Sequence, residues 1–229
     1  VHRIESHHLD SLPGARHQYS SWREQRETLH QILGNARKVA MEYSALNDIP
    51  YVGLVDAGTV ELVRSFGVDV VSSADLVQLF EARWSPAALI SHLEAGKVVH
   101  AAIRAGFGSI REAVCAGSAI GEYEVQRVIV DAMSARGVEA DEPPIVAVNA
   151  NCSNPHYSPT SERSQPIRRG DFVLLDVFGK QRAPGAVYFD VTWTGFVGEQ
   201  VPERHAKIFS IVREARDTAI DLVQRAMRR

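Results

Sequence analysis

Two aspartates stand where a bare carboxylate is costly. Asp176 lies in "VLLDVF" and Asp190 in "VYFDVTW", each inside a strand-like apolar run. Period-two alternation puts Asp190, Thr192 and Thr194 on one face of the second run, and Phe189, Val191 and Trp193 on the other. Between the runs, "GKQRAPGA" has the Gly and Pro of a long hairpin loop. If the two strands pair, both aspartates meet on one face. Two ionised carboxylates in an apolar sheet repel each other and lose hydration. The idealised Born penalty is on the order of 20 kcal/mol per ion, and several kcal/mol after relaxation. A divalent cation held by hard oxygen donors removes both problems. The simpler alternatives are an Asp capping a bulge, or an ion pair with an arginine such as Arg168 or Arg182. His156 lies upstream in "NPHYSPT", after a strand and among turn-formers. A loop histidine is ordinarily a surface residue, but beside a metal it can orient a substrate carbonyl or a tetrahedral oxyanion.

Strands and helices must position these residues. "SSWREQRETLHQILGN" is expected to be a helix, with Ser21 and Glu24 as a capping box and Gly34 as its stop. "RKVAMEYS" and "VDVVSS" read as strands and "IPYVGLVD" as strand or turn. "AGTVELVRSFG" and "SADLVQLFEAR" read as helices, so the pattern alternates as in an α/β layer. Ser85 and Pro86 open a long helix or a broken pair, with Gly106 and Gly108 marking the break. "GEYEVQRVIVDAMSARG" is a further helix, closed by Gly137. From Pro144 the pattern turns to strands: "PIVAVN", "FVLLDVFG" and "AVYFDVTWTGFVG". A last amphipathic helix carries Ile208, Ile211, Val212, Ala215, Ala219, Leu222 and Val223. Arg229 comes before any helix terminator, and the chain is expected to be a fragment of a longer protein. A domain boundary is expected near Arg83, giving residues 1–82 and 83–229.

Composition sets the class. The chain has 229 residues, enough for one large domain or two modest ones. Apolar residues make up 45% and charged residues 23%, as in an ordinary soluble globule. A net charge of -3 favours neither nucleic acid nor an anionic membrane. No long uncharged apolar run suggests a transmembrane helix, and no secretory signal is visible. Cys115 and Cys152 are far apart and in no ligand spacing, so reduced thiols and a cytoplasmic location are expected.

Taken together, His156, the run "GDFVLLD" through Asp176 and "YFDVTWTGFVG" from Tyr188 resemble the creatinase/aminopeptidase P ("pita-bread") family of metallopeptidases. "GEYEVQ" is similar to the helix that precedes the site in that family, and the resemblance covers nearly the whole chain. It implies an α/β (α+β) fold: a partial creatinase-type N-terminal domain, then an incomplete pita-bread catalytic domain. It implies two divalent metal ions (Mn, Co, Zn or Fe) held by two Asp, one His and two Glu. The two Asp match Asp176 and Asp190, and His156 matches a histidine that contacts substrate without binding metal. By the same resemblance, the remaining His and both Glu lie beyond Arg229. The implied activity of the intact protein is release of an N-terminal residue from a peptide substrate, including bonds before proline, with the fragment inactive. A homodimer is an expectation of the resemblance alone. The alternatives are a metal-free, creatinase-type hydrolase of a small guanidino compound and a non-catalytic peptide-binding module. Two departures stand out: the loop between the aspartates is longer than usual, and Trp193 stands where an Arg is common between the two Thr. The second bears on substrate preference.

Overall fold

Short polar side chains start the helices by accepting bonds from otherwise orphaned backbone N–H groups. Ser21 Oγ accepts from Glu24 N at 3.2 Å, Asp56 Oδ1 from Thr59 N at 2.9 Å, and Ser85 Oγ from Ala88 N at 3.1 Å. Gly34, Gly67 and Gly137 follow helices at positive φ, where a Cβ would be strained. The computed structural model describes residues 1–228. The chain divides into two compact units, Val1–Trp84 and Ser85–Arg229.

The first unit contains α1 (Trp22–Leu33), β1 (Lys38–Met41), α2 (Ala57–Ser65), β2 (Asp69–Ser72) and α3 (Ala74–Glu81). β1 and β2 pair in parallel, with Val39 opposite Val70. Its small core gathers Val60, Val63, Val68 and Val70. "IPYVGLVD" forms no strand, and Pro50–Val52 is a single 3-10 turn.

The second unit starts with α4 (Pro86–Cys115), a helix of 30 residues. Neither Gly106 nor Gly108 breaks it. Gly106 has a packing role instead: a Cβ there would meet the Ile129 side chain at 3.0 Å, so the missing side chain lets the next helix approach. That helix is α5 (Glu122–Ser134). It follows β3 (Ile120–Gly121) and precedes β4 (Val138–Glu139), β5 (Ile145–Val148) and β6 (Pro166–Ile167). β7 (Phe172–Gln181) and β8 (Phe189–Phe196) come next, and α6 (Glu203–Met227) completes the unit.

β7 is the centre of the sheet. It pairs antiparallel with β4 and β5 on one edge and with β8 on the other. Val173, Leu175 and Val177 point to one face and are fully buried with Val99, Val125 and Ile129 of α4 and α5. Each such side chain contributes about 1.5–3 kcal/mol relative to exposure, against about 1 kcal/mol for a serine cap. Packing therefore outweighs local signals in fixing the helix layer. β7 also runs further than the glycine at 179 suggests. Gly179, Lys180 and Gln181 belong to the strand, and the loop is residues 182–188. A Cβ on Gly179 would strike Met133 at 2.6 Å and Val138 at 2.7 Å, so this glycine serves packing and not a turn.

α6 has the expected apolar stripe but none of it is buried. Ile208 is 61% exposed, Val212 63% and Leu222 63%. Among the described residues no helix is long and apolar enough to cross a membrane.

Candidate functional site: two carboxylates on the open face of the sheet

Register decides where the two aspartates go. Asp176 of β7 faces Thr192 of β8, and Asp190 faces Phe178. Directly paired residues share a face, as do residues two apart on one strand. Asp176 and Asp190 are therefore diagonal neighbours on the same face, where Cα atoms lie roughly 7–8 Å apart. This is the face turned away from α4 and α5. Asp176 is half-buried and Asp190 is exposed. The sheet thus keeps its carboxylates off the packed side, and the cost of burying them outright is not incurred. Thr192 Oγ1 donates to Asp176 Oδ1 at 2.6 Å and fixes that carboxylate.

No ion pair among the described residues reaches either aspartate. Arg182 binds Glu139 at 3.2 Å and donates to Ser134 Oγ at 2.9 Å. Arg168 donates its backbone N–H to Asp171 Oδ2 at 2.7 Å. Lys180 lies over the Tyr188 ring at 5.0 Å. The pair is thus left without a cationic neighbour. Asp190 is open to solvent as a residue, yet its carboxyl loses some hydration against the sheet. That loss, and next the charge of Asp176, push its pKa up.

His156 sits elsewhere in the contact network. It is exposed in a turn, and its backbone N–H donates to Asn154 Oδ1 at 3.1 Å. No hydrogen bond, ion pair or ring contact joins it to Asp176 or Asp190 among the described residues. Its loop leaves the sheet where Val148 of β5 faces Val173 of β7. The structure brings the two aspartates together and leaves the histidine on a neighbouring loop.

That loop is held by a residue the sequence did not single out as functional. Glu122, at the start of α5, is fully buried. Its Oε1 accepts from Val148 N at 2.8 Å and Asn151 Nδ2 at 2.9 Å. Its Oε2 accepts from Tyr157 Oη at 2.6 Å and Gln165 N at 2.8 Å. One carboxylate thus ties both ends of the segment containing His156 to the helix layer. Burial, then the bond to Glu122, raises the Tyr157 hydroxyl to about 12, so it stays a donor. In sequence Glu122 looks like an ordinary acid in a helix first turn, and its partners lie 26 to 43 residues away. No local signal announces them.

Other candidates fall away. Cys152 donates to Ala147 O at 3.3 Å, and burial raises its thiol to about 11, which excludes a thiolate nucleophile near neutral pH. Trp193 faces the helices and meets the His100 ring edge-on at 6.2 Å. The departure at this position therefore lies on the opposite face from the aspartates. For a divalent metal, the chemistry of the pair fits: hard oxygen donors, mutual repulsion and no competing cation. The set is short, because no group of three or more His, Cys, Asp or Glu that could hold a metal forms among the described residues.

Comparison with known proteins follows the same lines. The sequence pattern of metallopeptidase family M24 matches residues 91–228. No curated protein matches the chain. A prolidase from Thermococcus sibiricus superposes with a TM-score of 0.57 at 20% identity, over 95% of this chain and 55% of its own. A prolidase from Pyrococcus furiosus gives 0.55 at 20% identity, over 94% and 57%. An aminopeptidase P from E. coli gives 0.53 at 19% identity, over 96% and 48%. At these identities the likeness shows the fold, which is the expected pita-bread architecture. The chain spans about half the length of these structures.

Two outcomes follow from the geometry. Asp176→Asn removes the second cause of the raised Asp190 pKa, so carboxyl carbon NMR should show that pKa falling towards, but not reaching, the ordinary value. The sign for stability is set by a folded pKa above the unfolded one. The Asp190 contribution is fully present below the unfolded carboxyl range and is lost as pH rises through the raised folded value. An unchanged Asp190 titration in Asp176→Asn would mean that the two carboxylates do not interact. Glu122→Ala leaves four donors without their acceptor and should destabilise the second unit by about 3 kcal/mol or more. A lower urea midpoint, with loss of hydrogen-exchange protection at Val148 and Gln165 amides, is the expected readout.

Proposed function

Because the chain belongs to metallopeptidase family M24, we propose that it contributes the first two ligands of a metal-dependent aminopeptidase site, with Asp176 and Asp190 as those ligands. The observation that carries the reading is their convergence on one uncovered face with no cation beside them. The activity proposed for the whole protein is hydrolysis of the first peptide bond of a peptide substrate, with bonds before proline as the preferred class. That preference follows the prolidases and the aminopeptidase P to which the fold is similar.

Divalent metals, when bound, would supply an acidified water and polarise the scissile carbonyl. The residues of this chain have narrower tasks. Asp176 and Asp190 would hold the cations through oxygen donors, and binding would offset the lost hydration and then the mutual repulsion that raise Asp190. Thr192 keeps the Asp176 carboxylate in one orientation. His156 would donate a hydrogen bond to the substrate carbonyl or to the tetrahedral oxyanion. Glu122 would hold the loop that presents it. The two aspartates account for two of the five ligands the reading requires. The other three, a His and two Glu, are not provided by any cluster of described residues. The chain alone is therefore proposed to bind metal weakly and to lack peptidase activity.

The test is an Xaa-Pro dipeptide assay on the complete reading frame, with metal content measured alongside. Asp190→Ala should abolish Mn²⁺-dependent cleavage and lower the bound metal. His156→Ala should reduce kcat by about 10²–10³-fold while metal content stays constant. Undiminished cleavage by Asp190→Ala would refute the ligand assignment.

A further inference from the structure

On the opposite side of the sheet from the aspartates, a cavity of about 250 Å³ opens between the last turns of α4 and the turn after β8. Phe107, Ile110 and Val114 recur at i, i+3 and i+7 and form its apolar wall. At the far end, the Phe107 ring fills the space a Cβ on Gly195 would need, approaching it to 2.8 Å. Two arginines, Arg111 and Arg169, also line the cavity. Arg111 has no ion-pair or hydrogen-bond partner among the described residues. Arg169 has only Glu199, at 3.5 Å, with the side chains 65% and 90% exposed. Such an exposed pair is weak and easily exchanged for a ligand carboxylate. The C-terminal end of a helix ordinarily repels anions. Here Ala116 N, Gly117 N and Ser118 N already bind the carbonyls of Glu112, Val114 and Ala113. Arg111 also lies one turn back from that end.

We propose that this cavity is a binding site for a small carboxylic acid with an apolar body, the body lying along Phe107, Ile110 and Val114 and the carboxylate meeting Arg111 and Arg169. Arginine suits this task because its planar fork binds a carboxylate through two parallel bonds. The volume suits a short chain or a single ring system. The site is independent of the peptidase reading, since neither aspartate nor His156 lines it.

The experiment uses the full chain with octanoate as probe, octanol as the uncharged control and acetate as the control without an apolar body. Octanoate should bind one to one, with octanol at least tenfold weaker and acetate not binding. Arg111→Ala, at an exposed helix position where the fold should survive, should weaken octanoate at least tenfold; Arg169→Ala repeats the test from the other wall. Cys115, which lines the rim, gives the location. Octanoate should slow its alkylation by iodoacetamide at least fivefold and leave Cys152 unaffected, as read by peptide mass mapping. Equal binding of octanol and octanoate, an unchanged affinity in both arginine variants, or no protection of Cys115 would each overturn the proposal.

Discussion

The pairing of β7 with β8 is the constraint on which the rest depends. Its register sets Asp176 against Thr192 and Asp190 against Phe178. Side chains alternate with a period of two, so a slip of one residue would send Asp190 to the helix side and bring Phe178 opposite an apolar partner's place. The slip is blocked by what lies beneath. Val173, Leu175 and Val177 are fully buried against α4 and α5, and Gly179 is the one residue small enough to pass under Met133 and Val138. A core without special chemistry thereby fixes the face on which the carboxylates appear.

The two faces of the sheet then do different things. The packed face supplies stability and, at its margin, an apolar cavity that Arg111 and Arg169 also line. The other face carries the aspartates, with Phe172 beneath the His205 ring of α6 in a parallel stack at 5.0 Å. Glu122 links the layers: it sits in the packed side, yet its four bonds set the path of the loop that carries His156. A buried, fully satisfied carboxylate is a strong local constraint, because every donor it leaves would be orphaned.

The sequence made the face of the aspartates legible, because alternation in "YFDVTWT" is a local property. Their burial was not legible. The apolar runs suggested charges inside an apolar sheet, whereas Asp176 is half-buried and Asp190 is exposed. Glycines misled in both directions. Gly106 and Gly108 suggested a break in a helix that is continuous, and Gly179 suggested a loop where the strand goes on. Tertiary close approach explains Gly106 and Gly179, and no window of sequence contains it. Glu122 is the clearest case of a non-local signal, since its partners gather from three later segments. The stripe on α6 predicted the helix correctly, but periodicity carries no information about what covers it.

The central claim is that Asp176 and Asp190 together form one cation-binding face. Paramagnetic relaxation by Mn²⁺, added at substoichiometric levels to the isotopically labelled chain, tests it directly. The account predicts weak binding with line broadening centred on Asp176, Asp190 and Thr192, lost in Asp176→Asn. Broadening centred elsewhere, or unchanged in Asp176→Asn, would contradict it.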